Sequence, residues 1–310
     1  MKISSILLPH QSIKKQTLLF FLTCLFFISA SPVSAQTLSL SVWPPIIDVL
    51  LQPGKSISQT YQLKNLGNDT IITTSIVPFQ PADEFGHIQL LPQQAPPQYF
   101  SIPAPFPLKA SQTKNVVLKI TIPETAQSTD HYLALLFHAD TKSLIKNSGS
   151  TITGSIASNI LLTISQPNTI NHTASIKQFT TAKFLDSFSP IPFTFRLQNT
   201  SDNHFKAIGQ INIFNSFKKK IATIPFREDN ILADSIRQLT TTSSSLDWNS
   251  LFPLGKYTAT ADITPQNSTN SVSQTISFFV FPYKLLIFLS ILFTIYLIIK
   301  KRKEPNLPCF

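Results

Sequence analysis

Apolar and polar residues alternate through most of the chain between Gln36 and Pro282, and helical periodicity is scarce there. In Ile57–Asn65, for example, Ile, Tyr and Leu are separated by polar residues. Because side chains of a strand point alternately to its two faces, this pattern predicts half-buried β-strands. Turn residues such as Pro53 and Gly54 separate the strands, which favours antiparallel β-sandwiches with very little helix.

The region Gln36–Pro282 has 247 residues, which is enough for two domains. The polar stretch Gln166–His172 contains a proline and follows an apolar strand, so we place the boundary there, with domains at 36–166 and 167–277. Each domain has an alternating strand that ends in an asparagine, Asn65 or Asn199, directly before a turn. The predicted fold class is therefore all-β, with two immunoglobulin-like antiparallel β-sandwich domains.

A long apolar run near the C-terminus predicts one transmembrane helix at 278–299. Its 22 residues span about 33 Å as a helix, and a hydrocarbon core is about 30 Å thick. Lys284 would lie near one interface, where its ammonium reaches the headgroups. Lys300–Lys303 assign the tail 300–310 to the cytoplasm and the preceding chain to the outside of the plasma membrane. A buried helix in a soluble core is the alternative, but such helices are seldom apolar all round.

An exported N-terminal region requires an export signal, and residues 1–35 have the pattern of a signal peptide. Lys2, Lys14 and Lys15 form a basic segment that leads into the apolar run QTLLFFLTCLFFIS. The side chains of Val33-Ser34-Ala35 are small, as a signal-peptide cleavage site before Gln36 requires. The alternative is an uncleaved first membrane helix. A lipoprotein site at Cys24 is disfavoured, because Thr precedes it and it lies inside the apolar run.

Residues 1–35 and 283–310 carry seven of the ten net positive charges, and these charges set the orientation of the chain in the membrane. Gln36–Pro282 contains 17 Lys and Arg against 14 Asp and Glu, a net charge of only +3, so we expect no nucleic-acid partner. The basic stretch Phe217–Lys220 is interpreted as a hairpin turn rather than a binding patch. Both cysteines, Cys24 and Cys309, lie outside the predicted domains, so no disulfide can stabilise these domains and they must rely on their hydrophobic cores. Because eukaryotic secreted domains of this size often contain disulfides, their absence favours a bacterial surface protein.

Sequence motifs for catalysis are weak. Ser143 and Lys146 fit the S-x-x-K pattern, and Ser201-Asp202-Asn203 fits S-D-N, as in penicillin-interacting serine enzymes. That chemistry also needs a K-T-G strand, which the chain lacks, and both matches fall in predicted loops of different domains. We therefore predict that the protein is not an enzyme and assign no catalytic residue.

Candidate metal ligands are equally sparse. Asp130, His131, His138 and Asp140 lie on or beside one predicted strand, but only His138 and Asp140 would share a face. One His and one Asp do not complete a site without distant ligands. The group Asp83, Glu84 and His87 is interpreted as a solvated loop. We assign no metal and no cofactor, and ligand-binding residues remain unknown.

Several stretches resemble bacterial cell-surface proteins of the WxL-interacting type. The matching stretches are LLQPGKSISQTYQLKNLGN, FPLKASQTKNVVLKITIPETAQSTDHYLALLF, FRLQNTSDNHFKAIGQINIFNSFKKKIATIPF, LFPLGKYTATADI and SFFVFPYKLL, and they cover most of Gln36–Lys303. This resemblance implies a signal peptide, a first immunoglobulin-like domain described as peptidoglycan-binding, a second such domain, one membrane helix and a basic tail. The first domain also resembles the pilus-chaperone type of sandwich at the level of fold.

Two functions follow from this architecture. The first is a single-pass cell-surface binding or scaffolding protein that contacts peptidoglycan, another envelope polymer or surface proteins. The second is an extracytoplasmic chaperone or assembly factor that pairs strands at an exposed sheet edge. An unpaired, proline-poor edge in the first domain would favour the second function.

Overall fold

The computed structural model describes residues 39–140, 153–166, 170–241 and 254–303. The predicted signal peptide and the tail beyond the C-terminal helix lie outside these ranges. The strands of the first domain are β1 (Leu40–Trp43), β2 (Ile46–Leu51), β3 (Ser56–Asn65), β4 (Thr70–Pro81), β5 (Ile88–Leu90), β6 (Phe100–Ser101), β7 (Phe106–Leu108), β8 (Thr113–Thr121), β9 (Thr129–Asp140) and β10 (Thr153–Ile164). Those of the second domain are β11 (Ala174–Thr180), β12 (Phe184–Leu185), β13 (Thr194–Asn199), β14 (Phe205–Asn215), β15 (Lys220–Pro225), β16 (Asn230–Ile231), β17 (Ile236–Leu239), β18 (Gly255–Pro265) and β19 (Val272–Val280). The helix α1 (Tyr283–Lys303) follows them.

Two sheets pack face to face in the first domain. One has the strand order β1-β3-β8-β6, and the other has the order β2-β10-β9-β4-β5 with β7 also paired to β4. Tyr61, Leu118, Phe137 and Ile160 are fully buried between them. On β3 and β8 the sequence neighbours of Tyr61 and Leu118 are exposed, so the period of two in these strands is the period of core burial.

The second domain is a sandwich with a phenylalanine-rich core. Its sheets have the orders β11-β13-β17 and β12-β19-β18-β14-β15, and β16 pairs with β14. Phe179, Phe195 and Phe278 are buried, and the rings of Phe195 and Phe226 have centroids 4.8 Å apart. Aromatic side chains bury large areas, so a few of them supply much of a small core. The prediction of an all-β protein with two sandwich domains is confirmed, and a C-terminal helix is present.

The first strand of each domain changes sheets part-way along its length. In the first domain, β1 pairs antiparallel with β3, Pro44 and Pro45 interrupt the ladder, and β2 then pairs parallel with β10. In the second domain, β11 pairs antiparallel with β13 and β12 pairs parallel with β19. The same strand plan therefore occurs twice in the chain.

The two asparagines that end alternating strands occupy equivalent buried positions. The amide nitrogen of Asn65 donates to the carbonyl oxygens of Asn68 (2.7 Å) and Leu108 (3.1 Å). That of Asn199 donates to the carbonyls of Asn203 (2.8 Å) and Ile231 (3.0 Å). Each asparagine closes its turn and ties it to a distant segment of the same domain.

The C-terminal apolar run divides between a strand and a helix. Phe278 and Val280 are buried in the second domain as the last residues of β19, whereas Phe279 between them is exposed. The expected helix start at Phe278 is therefore replaced by a start at Tyr283. The 21 residues of α1 extend about 31 Å, and the side chains of residues 284–301 are exposed. This helix is long and apolar enough to cross a membrane.

Candidate functional site

Half of β10 forms an open sheet edge in the first domain. Residues Asn159–Ile164 pair with β2 on one side and with β9 on the other. Residues 153–158 pair with β9 only, and no described strand pairs with their other side. The open half contains no proline. This is the kind of edge that accepts an additional strand.

The direction of the backbone groups follows from the neighbouring ladder. The N–H of Asn159 donates to the carbonyl of Pro45, away from β9. In an antiparallel pair both backbone groups of one residue point to the same side, and the side alternates along the strand. The N–H and C=O groups of Ser155 and Ala157 therefore point to the open side.

A small gap lies beside this edge. It measures about 190 Å³ and is lined by Leu40, Gly154, Ser155 and Ile156. Leu40 belongs to β1 at the margin of the opposite sheet, and both Leu40 and Ile156 are half-buried against the core. A strand added to β10 would thus meet backbone groups on one side and apolar side chains in the seam between the sheets.

The second domain has an equivalent edge. β12 pairs with β19 only at Phe279 and Val280, so the described structure leaves one side of Val272–Ser277 without a strand partner. Half-buried Val272 and Ile276 line the seam towards β11, as Leu40 and Ile156 do in the first domain. The repeated strand switch thus creates two comparable open edges.

A buried ionic network holds the two domains together. Asp130 at the start of β9 accepts hydrogen bonds from the Nδ1 atom and the backbone N–H of His204, both at 2.7 Å. Thr163 and Asn203 each donate to its other oxygen at 2.8 Å. His204 Nε2 lies 3.1 Å from Oδ1 of Asp48 on β2. The side chains of Asp130 and His204 are only 4% and 3% exposed, so this pair is shielded from water.

The network fixes the ionisation of its members. Burial alone would lower the pKa of His204, but its hydrogen bonds to Asp130 and Asp48 outweigh burial and raise the pKa to about 9. Burial would raise the pKa of Asp130, but the hydrogen bonds from His204 and Asn203 lower it to about 2. Both ring nitrogens of His204 face carboxylates, so the residue is an imidazolium that donates from each of them.

Apolar contacts and a second ion pair extend the junction. Phe79, Ala134 and Leu161 form a buried cluster on the outer face of the first domain, and Leu232 of the second domain packs against it. Arg196 of β13 binds the carboxylate of Glu84 through two nitrogens, with Nε 2.6 Å from Oε2. Each of these two side chains is one third exposed, so solvent screens the pair and its contribution to stability is small.

A cavity of about 400 Å³ lies within the junction. Phe79, His87 and Leu161 line it from the first domain, and Lys206 and Arg237 line it from the second. Gly86 borders the same space, with φ at +94°, and the guanidinium of Arg237 occupies the position that a side chain at Gly86 would take. The junction is therefore built around the absence of a side chain at Gly86.

The candidate metal ligands around β9 have different surroundings in the structure. His131 and His138 belong to β9; His138 contacts Ser75 and Ser155, whereas Nε2 of His131 has no hydrogen-bond partner in the described structure. Burial lowers the pKa of His131. Asp130 lies at the domain junction instead of with these histidines.

The remaining motif residues are described only in part. Ser201 donates to the side chain of Asn199 at 2.5 Å and so supports the turn after β13. Asp83 and His87 are exposed, as expected for a solvated loop, whereas Glu84 is one third exposed and also binds Arg196 of the other domain. Ser143 and Lys146 lie outside the described residues, as does the side chain of Asp140. Among the residues whose placement is described, no group of three His, Cys, Asp or Glu could hold a metal ion.

No family model matches the chain, and no curated protein is similar to it. Similar solved structures include a chaperone–tip adhesin complex of CFA/I fimbriae, with 13% identity over 77% of this chain and 98% of that one and a TM-score of 0.39. The class 5 fimbriae chaperone CfaA has 11% identity over 76% and 98%, with a TM-score of 0.38. The Salmonella enterica SafB chaperone in complex with the SafA pilin has 10% identity over 78% and 99%, with a TM-score of 0.37.

These comparisons correct the resemblance inferred from the sequence. The assignment to the WxL-interacting type is wrong: no family model matches, and the solved structures reported above are of fimbrial chaperones and their complexes. The matched stretches are strand ends and turns that many β-sandwiches share, which is why they misled at the level of family. With TM-scores of 0.37–0.39 the overlap is partial, so the function is argued below from this chain's own residues.

Proposed function

We propose that this protein is an extracytoplasmic chaperone or assembly factor that binds an extended segment of a partner protein by strand pairing at residues 153–158 of β10. The observation that carries the proposal is the open, proline-free half of β10, which presents the backbone groups of Ser155 and Ala157. Strand addition uses such groups for affinity and uses side-chain pockets for specificity.

The seam beside the edge supplies the pocket. An added strand would place every second side chain towards Leu40 and Ile156, where the gap of about 190 Å³ lies. That volume suits one medium-sized apolar side chain. The expected ligand is therefore an extended segment with alternating apolar residues, rather than a polymer recognised by charged groups.

Membrane anchoring is part of the same proposal. The exposed apolar side chains of α1 suit the hydrocarbon core, and every backbone group within a helix is satisfied without water. Lys300–Lys303 favour a cytoplasmic tail and an extracytoplasmic location for both sandwiches. The open edge would then be held outside the membrane at a distance fixed by the second domain.

The domain junction supports this use of the edge. β10 and β9, which form the edge, also carry Leu161, Thr163 and Asp130 of the junction. The second domain therefore stiffens the strand pair that would receive the ligand. A preordered edge binds an extended segment at a lower entropic cost than a mobile one.

The decisive experiment compares three full-length proteins in detergent: the wild type, Ser155→Ala and Ser155→Pro. Both substitutions remove the hydroxyl that contacts His138, but only proline removes the N–H that points to the open side. Each is used to capture proteins from the solubilised envelope of the source organism, followed by hydrogen exchange at residues 153–158. We expect Ser155→Pro to reduce capture at least tenfold and Ser155→Ala to retain it.

Two results would contradict the proposal. Equal capture by Ser155→Pro and the wild type would exclude strand pairing at this edge. Saturable retention on washed cell walls, with no captured protein, would instead favour the polymer-binding function expected from the sequence. Amide protection of Ala157 upon binding, absent from Ser155→Pro, would locate the contact, whereas position 155 of that variant has no amide to compare.

A further inference from the structure

The end of the second domain beside α1 carries exposed aromatic and basic side chains. Phe184, Phe188, Phe217 and Phe279 are 65%, 58%, 90% and 47% exposed. Lys183, Lys218, Lys219 and Lys256 are exposed beside them. We call these eight residues the basal surface. Exposed aromatic clusters on soluble proteins usually mark an interaction site.

Strand register places these residues at one level along the domain. Val280 at the end of β19 pairs with Gly255 of β18, and Tyr257 of β18 pairs with Asn215 at the end of β14. The turn that contains Phe217 follows Asn215, and the helix follows Val280, so both project from the same end of the sheet. Neighbouring strands are about 4.8 Å apart, which places the turn roughly 10–15 Å to the side of the helix.

The helix is joined to this end without a flexible spacer. The N–H of Phe281 donates to the carbonyl of Leu185 at 2.9 Å. The N–H of Lys284 donates to buried Asp186 at 3.2 Å, and its ammonium donates to Ser189 at 2.7 Å. The first turn of α1 is thus bound to the loop after β12. If α1 crosses a bilayer, the basal surface must lie at the surface of that bilayer.

Hydrogen bonds within the turn at Phe217 fix its conformation. Asn215 accepts the backbone N–H groups of Phe217 and Lys219, both at 3.0 Å, and Lys218 has φ at +60°. Ser216 donates to the carbonyl of Lys256 at 2.8 Å, which ties the turn to β18. These bonds hold Phe217 away from the core of the domain, with Lys218 and Lys219 directly after it.

We propose that the basal surface contacts lipid: Phe217 lies in the interfacial region of the outer leaflet, and Lys218 and Lys219 bind anionic phospholipid headgroups. The inference rests on the proposed membrane anchoring by α1. Apolar side chains such as Phe insert at the boundary between headgroups and acyl chains when the segment that carries them also has basic residues. Lysines beside a membrane helix are attracted to anionic headgroups, and their stems remain apolar. The basic stretch thus acts as a second contact that sets the tilt of the exported domains.

Depth-dependent fluorescence quenching tests this inference on the full chain in lipid nanodiscs. Trp43→Phe and Trp248→Phe remove the native signal, and Phe217→Trp introduces one probe at the turn. Phe293→Trp provides a probe in α1, and Phe85→Trp provides one on an exposed loop of the first domain. Brominated lipids are the quencher, in phosphatidylcholine with and without phosphatidylglycerol.

We expect quenching of the Phe217→Trp and Phe293→Trp probes and none of the Phe85→Trp probe. Lys218→Gln with Lys219→Gln should reduce quenching at position 217 at least twofold in phosphatidylglycerol membranes. Quenching in α1 alone would overturn the lipid contact and leave the anchoring intact. Quenching at neither position would overturn the anchoring and the lipid contact together. Unchanged quenching after the lysine substitutions would overturn the role of the headgroups.

Discussion

Nδ1 of His204 lies 2.7 Å from Oδ2 of Asp130, and this contact joins the second domain to the first. The two residues are 74 positions apart in the chain, and both are almost fully buried. A buried pair of this kind is costly to break on one side, because the remaining charge stays desolvated. The contact therefore controls how the sandwiches are held relative to each other.

Removing either partner should open the junction. We expect His204→Gln or Asp130→Asn to destabilise it by about 3–5 kcal/mol, because Asp130 then loses the imidazolium, or His204 keeps only the partly exposed Asp48. The backbone N–H of Ala233, which donates to Tyr132 at 2.9 Å, reports opening through hydrogen exchange. The double variant should lose less junction stability than the two single variants do in sum, since it does not leave one charge of the pair buried without the other. Additive losses would show that the two residues act independently.

The junction should also depend on pH. The folded pKa of Asp130, about 2, is below its usual 3.8, so its contribution is present above pH 4 and is lost as the pH falls towards 2. The folded pKa of His204, about 9, is above its usual 6.5, so its contribution is complete below pH 6.5 and is lost as the pH rises through 9. We expect the tightest junction between about pH 4 and 6.5, and a loss of about 3 kcal/mol by pH 9.5.

Hydrogen exchange of Ala233, corrected for its intrinsic pH dependence, measures this effect. Asp48 and Tyr132 also face the site, as does His172, whose pKa burial lowers, so His204→Gln is needed to assign the alkaline loss to His204. The amide of Gly67, which donates to Asn65 at 2.9 Å, is the control inside the first domain. Equal pH dependence at Gly67 and Ala233 would mean that the whole first domain responds rather than the junction.

Gly86→Ala should loosen the junction at a second place. A Cβ there would lie 1.6 Å from Nη1 of Arg237, and the backbone has a φ of +94°. The positive φ costs about 1 kcal/mol, and displacement of the guanidinium adds a similar amount. Small-angle scattering of the full chain should show a larger radius of gyration, and proteolysis between the domains should accelerate.

Gly54→Ala is the matched control for that substitution. Gly54 also has a positive φ, +78°, but its added Cβ would meet only the flexible side chain of Glu124 at 3.1 Å. Gly54→Ala should lower the free energy of unfolding by about 1 kcal/mol without changing how the two domains are arranged. Combining Gly86→Ala with Arg237→Ala should remove the steric part and keep the backbone part. If Gly54→Ala and Gly86→Ala behave alike, the side chain of Arg237 has no role in docking.

The sequence predicted the local parts of this structure better than the distant contacts. The alternation in Ile57–Asn65 predicted β3 correctly, because burial on one face of a strand has a period of two. The contact between Asp130 and His204 could not be predicted, since nothing in either residue's neighbourhood specifies a partner in another domain. Glu84 misled for the same reason: a charged loop looks solvated until its distant arginine is known.

The open edge of β10 could not be predicted from the sequence for a different reason. Ser155 and Ala157 look like ordinary strand residues, and whether a described strand pairs with their outward backbone groups depends on where β2 stops pairing. The start of α1 was misplaced because Phe278–Val280 is wholly apolar, although Phe279 faces outward. An apolar run does not reveal a period of two when its exposed position is also apolar.

Asn65 and Asn199 should be equally important in their separate domains. Asn199→Ala removes the donor to the carbonyls of Asn203 and Ile231 and the acceptor of the N–H of Ser201. Leaving such buried groups unpaired should destabilise the second domain by about 3 kcal/mol, and Asn65→Ala should do the same to the first. Chemical unfolding followed by hydrogen exchange assigns each loss to its domain.

Asn199→Asp distinguishes the hydrogen bonds from simple packing. It keeps the size of the side chain but places a carboxylate oxygen against the two carbonyls that accepted the amide. It should therefore destabilise the second domain more than Asn199→Ala does, by repulsion and desolvation. Gln62→Ala, on the exposed face of β3, should change stability by less than about 0.5 kcal/mol. If Asn199→Asp is as stable as the wild type, the buried amide does not hold the turn, and the equivalence of the two asparagines has no energetic meaning.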